Sequence, residues 1–279
     1  MSEPCYDLHC HSSQSDGILR PAELLSRAKS QGVTTLALTD HDTISGLPEA
    51  TVQAELEGID LITGVEFSCL WYGRNIHVLA LNFDASHSAI QALTELQLQR
   101  RIERSEVIAS KLEKLGFIGI LQAAQAKADG AIIGRPHFAQ AMIDTGKVKD
   151  VAHAFKQFLG AGKVGDVKLQ WPDFDDVTQA CSAAGGQAVL AHPLKYKMTR
   201  TKLCSMIDDF KESGGQGIEV VSGLQTPQQT GDMARLANKY ELLASCGSDF
   251  HAPSGYNADL GQISALPQSV EPIWQQWSV

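Results

Sequence analysis

The chain has 279 residues, of which 43% are hydrophobic and 20% are charged, and its formal net charge at pH 7 is -9. This length suits one large α/β domain that carries an insertion. The acidic balance argues against bulk binding of long duplex nucleic acid, because phosphate contacts dominate such binding. A few cations or bound metals are still enough to hold one phosphate or a short strand.

The chain shows no signal-peptide pattern and no apolar run of membrane-spanning length, so we expect a cytoplasmic protein without a membrane partner. Its six cysteines are scattered without a CxxC pair, and we expect them to be reduced thiols. Cys10 stands between two histidines, but its side chain is expected on the opposite face of a strand. We therefore interpret Cys10 as a small buried residue.

The first third of the sequence alternates between strand and helix patterns. Pro21 suits the first turn of a helix, and Gly32 is placed to end it. Strands are predicted at 5–8, 34–39, 59–66 and 75–81, and helices at 21–31 and 47–57. The short links between these segments predict parallel β–α units.

The pattern changes after residue 86. Residues 86–128 are helical in pattern, and short helices are predicted at 135–145 and 151–159. We interpret residues 100–165 as a helical insertion that forms a cap, and residues 1–99 and 166–279 as the main domain. There the alternation returns, with helices at 177–184, 201–213 and 226–240 and strands at 187–191, 217–221 and 242–246. About seven strands, each followed by polar residues, are typical of a barrel whose C-terminal strand ends collect the chemistry.

Histidines and carboxylates recur at the predicted strand ends. His9 and His11 are two residues apart, so their side chains point to the same side of the first strand. One strand-end histidine alone is more often structural than a ligand. Many ionisable groups converging on one barrel mouth are costly unless ions or hydrogen bonds compensate them. Besides this pair, the candidates are Asp16, His41, Glu66, His77, His192, Asp249 and His251; all except Asp16 and His77 lie at or just past a predicted strand end.

These candidates predict a metal site. Mixed imidazole and carboxylate ligands without thiolate suit Mn²⁺, Zn²⁺ or Fe²⁺ better than Ca²⁺ or Mg²⁺. The set exceeds what one tetrahedral zinc uses, and it would supply two or three ions if one carboxylate bridges. Glu66 is our choice for the bridge, because it stands alone at its predicted strand end. Clustered ions produce hydroxide near neutral pH and clamp the oxygens of a displacement at phosphorus.

The motifs resemble, in the right order from residue 5 to about 255, the polymerase and histidinol phosphatase (PHP) family. They are Asp7-Leu8-His9-Cys10-His11, Ser15-Asp16-Gly17, Thr39-Asp40-His41-Asp42, Gly64-Val65-Glu66, Ala191-His192-Pro193 and Gly247-Ser248-Asp249-Phe250-His251. The closer resemblance is to the TrpH subgroup, whose members look like 3′,5′-nucleoside bisphosphate phosphatases and include the 5′→3′ exoribonuclease RNase AM. The stretch with Arg135-Pro136-His137 is similar to the inserted domain of that subgroup.

The resemblance implies a distorted (β/α)₇ TIM-like barrel of the α/β class that holds three ions, typically manganese, with Zn²⁺, Fe²⁺ or Mg²⁺ as alternatives. Every ligand position of the family is filled here. By position, the first ion would be held by His9, His11, Glu66 and Asp249. The second would be held by Glu66, His77 and His192, and the third by Asp16, His41 and His251. The resemblance also implies that Arg135 and His137 approach the substrate phosphate.

Arg135 has a physical case of its own as a phosphate ligand. A guanidinium can donate two parallel hydrogen bonds to one phosphate. Arg135 is also the first residue of a predicted helix, where free backbone N–H groups favour anions. Lys195 is a further candidate phosphate ligand, and with Lys197 it would add positive charge near the mouth, although solvated side chains are the simpler interpretation. Asp40 is expected to orient a ligand rather than to be one, and Asp42 either does the same or caps a helix.

We therefore predict a phosphoesterase that acts on nucleotide ends. Metal-activated hydroxide attacks a phosphorus held by the ions and Arg135, and a metal, His192 or a bound water assists the leaving oxygen. The favoured substrates, pAp-like bisphosphates and short 5′-phosphorylated RNA, rest on the subgroup resemblance. The alternatives are a histidinol-phosphate or other small-metabolite phosphatase, a non-catalytic metal-binding regulatory module and a proofreading-type DNA exonuclease. The native ion, the base preference and the oligomeric state stay open.

Overall fold

The computed structural model describes residues 4–167, 171–253 and 258–277. The strands are β1 (Tyr6–Asp7), β2 (Thr35–Leu38), β3 (Asp60–Trp71), β4 (Arg74–Leu81), β5 (Gln187–Leu190), β6 (Gly217–Ser222) and β7 (Leu243–Gly247). The helices are α1 (Pro21–Ser30), α2 (Leu47–Glu57), α3 (Ser88–Glu113), α4 (Ile120–Ala128), α5 (Arg135–Asp144), α6 (Val151–Ala154), α7 (Phe174–Ala183), α8 (Arg200–Glu212) and α9 (Pro227–Tyr240). A π-helical turn, Phe155–Leu159, continues α6, and 3₁₀ turns occur at Pro193–Tyr196 and Ile273–Gln276.

The strands form one sheet in sequence order that curls almost into a closed barrel. Its two edges meet where the Leu8 N–H donates to the Cys246 carbonyl at 2.9 Å and the His11 N–H donates to the Phe250 carbonyl at 2.9 Å. Apolar side chains fill the interior below the mouth, and the 3₁₀ turn at Ile273 closes the bottom. The predicted α/β barrel with surrounding helices is confirmed.

Two local predictions about β3 and β4 are wrong. Strand β3 does not end at Glu66 but continues to Trp71, and β4 pairs with it antiparallel rather than parallel. The physical reason is the tight turn at Tyr72 and Gly73, both with positive φ, which joins the strands directly without a helix. Because β4 descends from the mouth, its first half lies level with the C-terminal ends of the parallel strands. This explains why His77 belongs with the strand-end residues although it comes early in its own strand.

Helix α3 joins the barrel to the predicted insertion. Its 26 residues span about 39 Å at 1.5 Å per residue. Ile90 and Leu93 near its start pack in the cluster between the sheet and the outer helices, whereas Ile108 and Leu112 belong to a separate cluster formed within residues 108–167. That second cluster supports our proposal that residues 100–165 form a cap on a barrel of residues 1–99 and 166–279.

Two further features bear on the sequence predictions. In the part of the chain that the structure describes, no helix has both the length and the apolar character needed to cross a bilayer. All six cysteines are free thiols. Cys10 is fully buried, and its Sγ lies 3.2 Å from the Ala37 carbonyl oxygen, as expected for a small buried residue.

Candidate metal centre

The structure brings all nine predicted ligand residues together at the barrel mouth. They form four overlapping groups, and within each group the ligand atoms lie within 4.8 Å of one another. The groups are His11, Asp16, His41 and His251; His9, Glu66 and His192; His9, His11 and Asp249; and His41, Glu66 and His77. The first group contains the residues implied for the third ion together with His11, and the third group contains those implied for the first ion without Glu66. The set implied for the second ion is divided, because His77 and His192 contact Glu66 in different groups.

Glu66 lies at the centre of the cluster and is fully buried. Register pairs Ser68 with His77, and side chains alternate along a strand, so Glu66 and His77 share a face. The Glu66 carboxylate contacts five imidazoles: His77 at 2.8 Å, His192 at 2.7 Å, His41 at 3.1 Å, and His9 and His11 at 3.2 Å each. A carboxylate so surrounded suits the predicted bridging role.

The cluster contains buried polar atoms that lack any hydrogen-bond partner among the described residues. They include Nε2 of His9, both ring nitrogens of His11, Oδ1 of Asp16, Nδ1 of His41, Oε2 of Glu66 and Nδ1 of His192. Unpaired buried polar atoms are costly, and their concentration here fits cations that would accept their lone pairs. The donor set, imidazole and carboxylate, is the one that first-row divalent ions use. The residues present therefore fit a polynuclear metal site.

The backbone at the mouth is shaped to bring these side chains close. A Cβ on Gly247 would lie 2.2 Å from the Cβ of His9, so only glycine lets β7 approach β1 there. His192 and Asp249 adopt positive φ values of 29° and 53°. Such conformations are strained for residues with a side chain and are found at functional sites.

Glu219, on β6, is a site residue that the sequence predictions missed. Its side chain is fully buried; Oε1 lies 2.9 Å from Nδ1 of His9, and Oε2 accepts the His192 backbone N–H at 2.5 Å. One carboxylate thus orients a ligand imidazole and stabilises the strained backbone of a second ligand. The available signal was a carboxylate inside the apolar run Ile218-Glu219-Val220.

Two histidines of the cluster have pKa values that are shifted in opposite directions. Burial disfavours protonated His9, but Glu219 and Glu66 outweigh burial and raise the pKa of His9 to about 10. Burial dominates at His192 and lowers its pKa to about 4, against the opposing effect of Glu66. The carboxylates therefore favour the protonated form of His9, whereas burial keeps His192 neutral, which is the form that binds metals.

Neighbouring polar residues support the cluster without belonging to it. Asp40 accepts hydrogen bonds from the Ser12 N–H at 2.7 Å and the Ser15 hydroxyl at 2.6 Å, so it orders the loop that carries Asp16. Asp42 does not cap α2, whose N-cap is Gly46. Instead, the buried Asp42 carboxylate ties α3 to the mouth by accepting from Gln97 at 2.8 Å and from Arg101 at 2.7 Å.

The helical insertion meets the cluster beside Asp16. The Ile132 N–H donates to the Gln14 carbonyl at 3.4 Å, which brings the start of α5 next to the Asp16 loop. The Gly134 N–H donates to Nδ1 of His137 at 2.9 Å, so the proton of the neutral ring is on Nε2. His137 can therefore act as a hydrogen-bond donor to an anion.

Arg135 lies close to Arg101 and Arg104 of α3, and we refer to these three residues as the arginine group. Its Nη1 donates to the Leu159 carbonyl at 3.1 Å and lies 3.8 Å from Asp166. Burial and the charges of Arg135 and Arg101 together lower the pKa of Arg104 to about 9. The sequence predictions missed Arg101 and Arg104, because the three arginines of α3 fall within five residues, and their spacing does not show which face packs inward.

A cavity of about 490 Å³ adjoins the cluster. His192, Asp249 and His251 form its wall toward the metal centre, and Leu194, Ser222 and Gln225 are among the other lining residues. Lys195 also lines it, with Nζ in contact with the Asp249 carboxylate. The predicted phosphate ligand Lys195 thus lies at the mouth, paired with a predicted metal ligand.

A barrel mouth lined by clustered imidazoles and carboxylates, with cationic groups alongside, is the site of a metal-dependent hydrolase. Comparison with known families narrows this class. The model described as the PHP domain matches residues 7–165, more than half of the chain. The chain belongs to the PHP family, and the predicted class of metal-dependent phosphoester hydrolase is confirmed.

Similar proteins match along nearly the whole chain. A 5'-3' exoribonuclease of Haemophilus influenzae is 46% identical over 98% of this chain and 98% of its own length. A 3',5'-nucleoside bisphosphate phosphatase of Chromobacterium violaceum is 40% identical over 97% of this chain and 95% of its own. The structure of an amidohydrolase from Chromobacterium violaceum, with bound sulfate and no metal, superposes with a TM-score of 0.91 at 40% identity, covering 97% of this chain and 95% of that one.

Proposed function

We propose that this protein removes the 3′-phosphate from 3′,5′-nucleoside bisphosphates and degrades short 5′-phosphorylated RNA from its 5′ end. The observation that carries the proposal is the position of Arg135 and its neighbouring arginines, close to the cluster of nine predicted metal ligands at Asp16. The near full-length similarity to an exoribonuclease and to a bisphosphate phosphatase supports the choice of nucleotides.

The nine residues of the cluster would hold two or three ions, with Glu66 as the shared ligand. Mn²⁺ is our preferred ion on the basis of the ligand types, and Zn²⁺, Fe²⁺ and Mg²⁺ are the alternatives. Bound ions would supply an activated water and neutralise charge that develops on the phosphate. Because the six cysteines are all unpaired, we expect the enzyme to work in a reducing compartment, the cytoplasm.

The residues of the insertion would bind the phosphate that is not hydrolysed. Arg135 offers a forked donor and His137 offers Nε2–H, both adjacent to Asp16 at one edge of the cluster. Arg104 adds positive charge that is already disfavoured by its neighbours, so an anion in this place would relieve repulsion. These three groups would fix the distance between the 5′-phosphate and the reacting phosphorus.

One reaction accounts for both substrates. In each, the oxygen of water bonds to the phosphorus at the 3′ position, the P–O3′ bond breaks, and the released 3′ oxygen takes up a proton. A bisphosphate yields orthophosphate and a 5′-nucleotide. RNA yields the same 5′-nucleotide and a strand shortened by one residue, with a new 5′-phosphate. His192, between Glu66 and the cavity, is our candidate to assist the leaving oxygen, although a bound water would serve as well.

A phosphate-release screen tests the proposal. The manganese-loaded protein should prefer pAp over AMP and histidinol phosphate, and it should release mononucleotides from a trinucleotide with a 5′-phosphate but not from one with a 5′-hydroxyl. Greater activity on histidinol phosphate than on pAp would replace the proposal with a metabolite phosphatase. Release of mononucleotides from DNA but not from RNA would favour a DNA exonuclease. No hydrolysis of any ester would favour a regulatory module.

A further inference from the structure

A short stretch after His192 carries positive charge and contains no acidic residue. Between His192 and Asp208 the sequence has four cations and no carboxylate, in a protein of net charge -9. We refer to residues 195–202, which contain Lys195, Lys197, Arg200 and Lys202, as the basic segment. The net charge of the basic segment is positive, whereas that of the whole protein is negative.

The fold holds the basic segment at the barrel mouth. It begins within the 3₁₀ turn that follows His192. The Tyr196 hydroxyl accepts the His77 N–H at 2.8 Å and donates to the Ala191 carbonyl at 2.9 Å, which ties the turn to β4 and β5. The segment ends in the first turn of α8, and a helix that follows a parallel strand starts at the mouth side of the barrel.

The charges of the basic segment are exposed and mostly unpaired. Lys197, Arg200 and Lys202 form no ion pair with any residue that the structure describes. The nearby carboxylates are engaged: Asp249 contacts Lys195, and Asp232 is paired with Arg235 on α9. Cations in the first turn of a helix also oppose its dipole. Helix α7, by contrast, carries acidic residues in its first turn.

The cavity of about 490 Å³ adjoins the basic segment and the predicted metal ligands. Its volume is in the range of small-molecule sites. Ser222, only 7% exposed, lines it, and its hydroxyl has no hydrogen-bond partner among the described residues. Leu194 and Leu224 provide apolar surface, and Leu224 is 70% exposed. A buried polar group beside apolar surface is suited to a ribose and a base.

We propose that this cavity binds the nucleotide on the 3′ side of the scissile phosphate, and that the basic segment binds the backbone phosphates of the RNA that follows. This inference rests on the proposed function and adds a direction to it. The insertion approaches the cluster at Asp16, whereas the cavity opens at His192, Asp249 and His251, of which only His251 contacts Asp16, at 3.2 Å. The 5′-phosphate and the remaining RNA would therefore bind at two different parts of the barrel mouth, one beside Asp16 and one beside His192 and Asp249.

The test compares two triple variants that remove the same charge. Lys197→Gln/Arg200→Gln/Lys202→Gln neutralises the basic segment. Lys29→Gln/Lys114→Gln/Lys149→Gln neutralises three exposed lysines that do not line the cavity. Each protein is assayed with pAp and with 5′-phosphorylated RNA of two to ten nucleotides over a range of salt concentrations. Binding of a labelled RNA decamer to chelator-treated protein is measured by fluorescence anisotropy.

In the wild type, kcat/KM should rise with RNA length. The basic-segment variant should lose that rise, with about tenfold lower kcat/KM on the decamer and less than a twofold change on pAp. Its salt dependence should fall by about two in slope, since each phosphate contact on a single strand contributes about 0.7. The control variant should behave like the wild type.

Three outcomes would overturn the inference. They are equal losses in both triple variants, an equal loss on pAp and RNA, and binding of polyglutamate as tight as binding of RNA. The anisotropy measurement keeps the two proposals separate. Absence of turnover on all nucleotides contradicts the proposed function, whereas unchanged RNA binding by the basic-segment variant contradicts only this inference.

Discussion

Two regions meet at the barrel mouth, and they are built differently. The metal cluster draws its residues from six of the seven strands or the loops after them, and backbone pairing sets their separations. The arginine group stands on α3 and α5, positioned by the packing of one local cluster. Donors held by a sheet suit a reaction that tolerates little displacement. Side chains on helices outside the sheet can be replaced without displacing the strands, so residues in these positions are suited to determining which substrate binds.

The largest expected effect concerns the centre of the cluster. Glu66→Gln should lose bound metal and activity together, by more than the roughly 100-fold that loss of a ligand-orienting group costs, because Glu66 contacts five imidazoles. Metal content by plasma mass spectrometry and phosphate release from pAp measure it. The exposed Glu55→Gln variant is the control. Full metal content with full activity would remove Glu66 from the bridging position.

Glu219 offers a second way to test the strand-held region. Glu219→Gln keeps the size of the side chain but places an amide donor against the His192 N–H or against His9. We expect metal affinity to fall 10- to 100-fold, measured by titration of the metal-free protein with Mn²⁺. The circular dichroism spectrum should stay that of the wild type. Unchanged affinity would mean that His9 and His192 hold their positions without this carboxylate.

A substitution in the insertion should weaken substrate binding without changing the amount of bound metal. Arg135→Ala should lower kcat/KM on pAp about tenfold, mainly through KM, since a hydrogen bond to a charged group contributes about 1.5–3 kcal/mol. Metal content should equal that of the wild type, and Lys149→Ala provides an exposed control in the same region. Loss of metal in Arg135→Ala would show that the two regions are not separable.

The smallest expected effect is at Cys10, which lies in the cluster by sequence but not by contact. Cys10→Ala should change kcat/KM by less than twofold and lower the free energy of unfolding by about 1 kcal/mol. Kinetics on pAp and urea denaturation measure the two quantities. A large loss of activity would place the thiol among the reacting groups.

The sequence predicts the cluster at the strand ends better than the arginine group on the helices, and particular residues show why. His9 and His11 are spaced by the strand repeat, so their shared direction follows from two positions alone. Glu219 was missed because one carboxylate in a buried strand has no spacing to mark it. The reversal of β4 was missed because a run of strand residues carries no direction. Arg104 needs the packing of α3, which depends on contacts far away in the sequence.

The reversal of β4 has a mechanical consequence. Because β4 ends at the bottom of the barrel, α3 starts there, rises past the mouth and carries the insertion on its far end. Because α3 is about 39 Å long, a tilt of about 5° at its N-terminal end would move its C-terminal end by about 3 Å. The ion pair between Asp42 and Arg101 fixes the middle of α3 to the barrel mouth, level with the predicted metal ligands. The position of Arg135 therefore depends on how α3 is attached at the closed end of the barrel and on the Asp42–Arg101 pair at the open end.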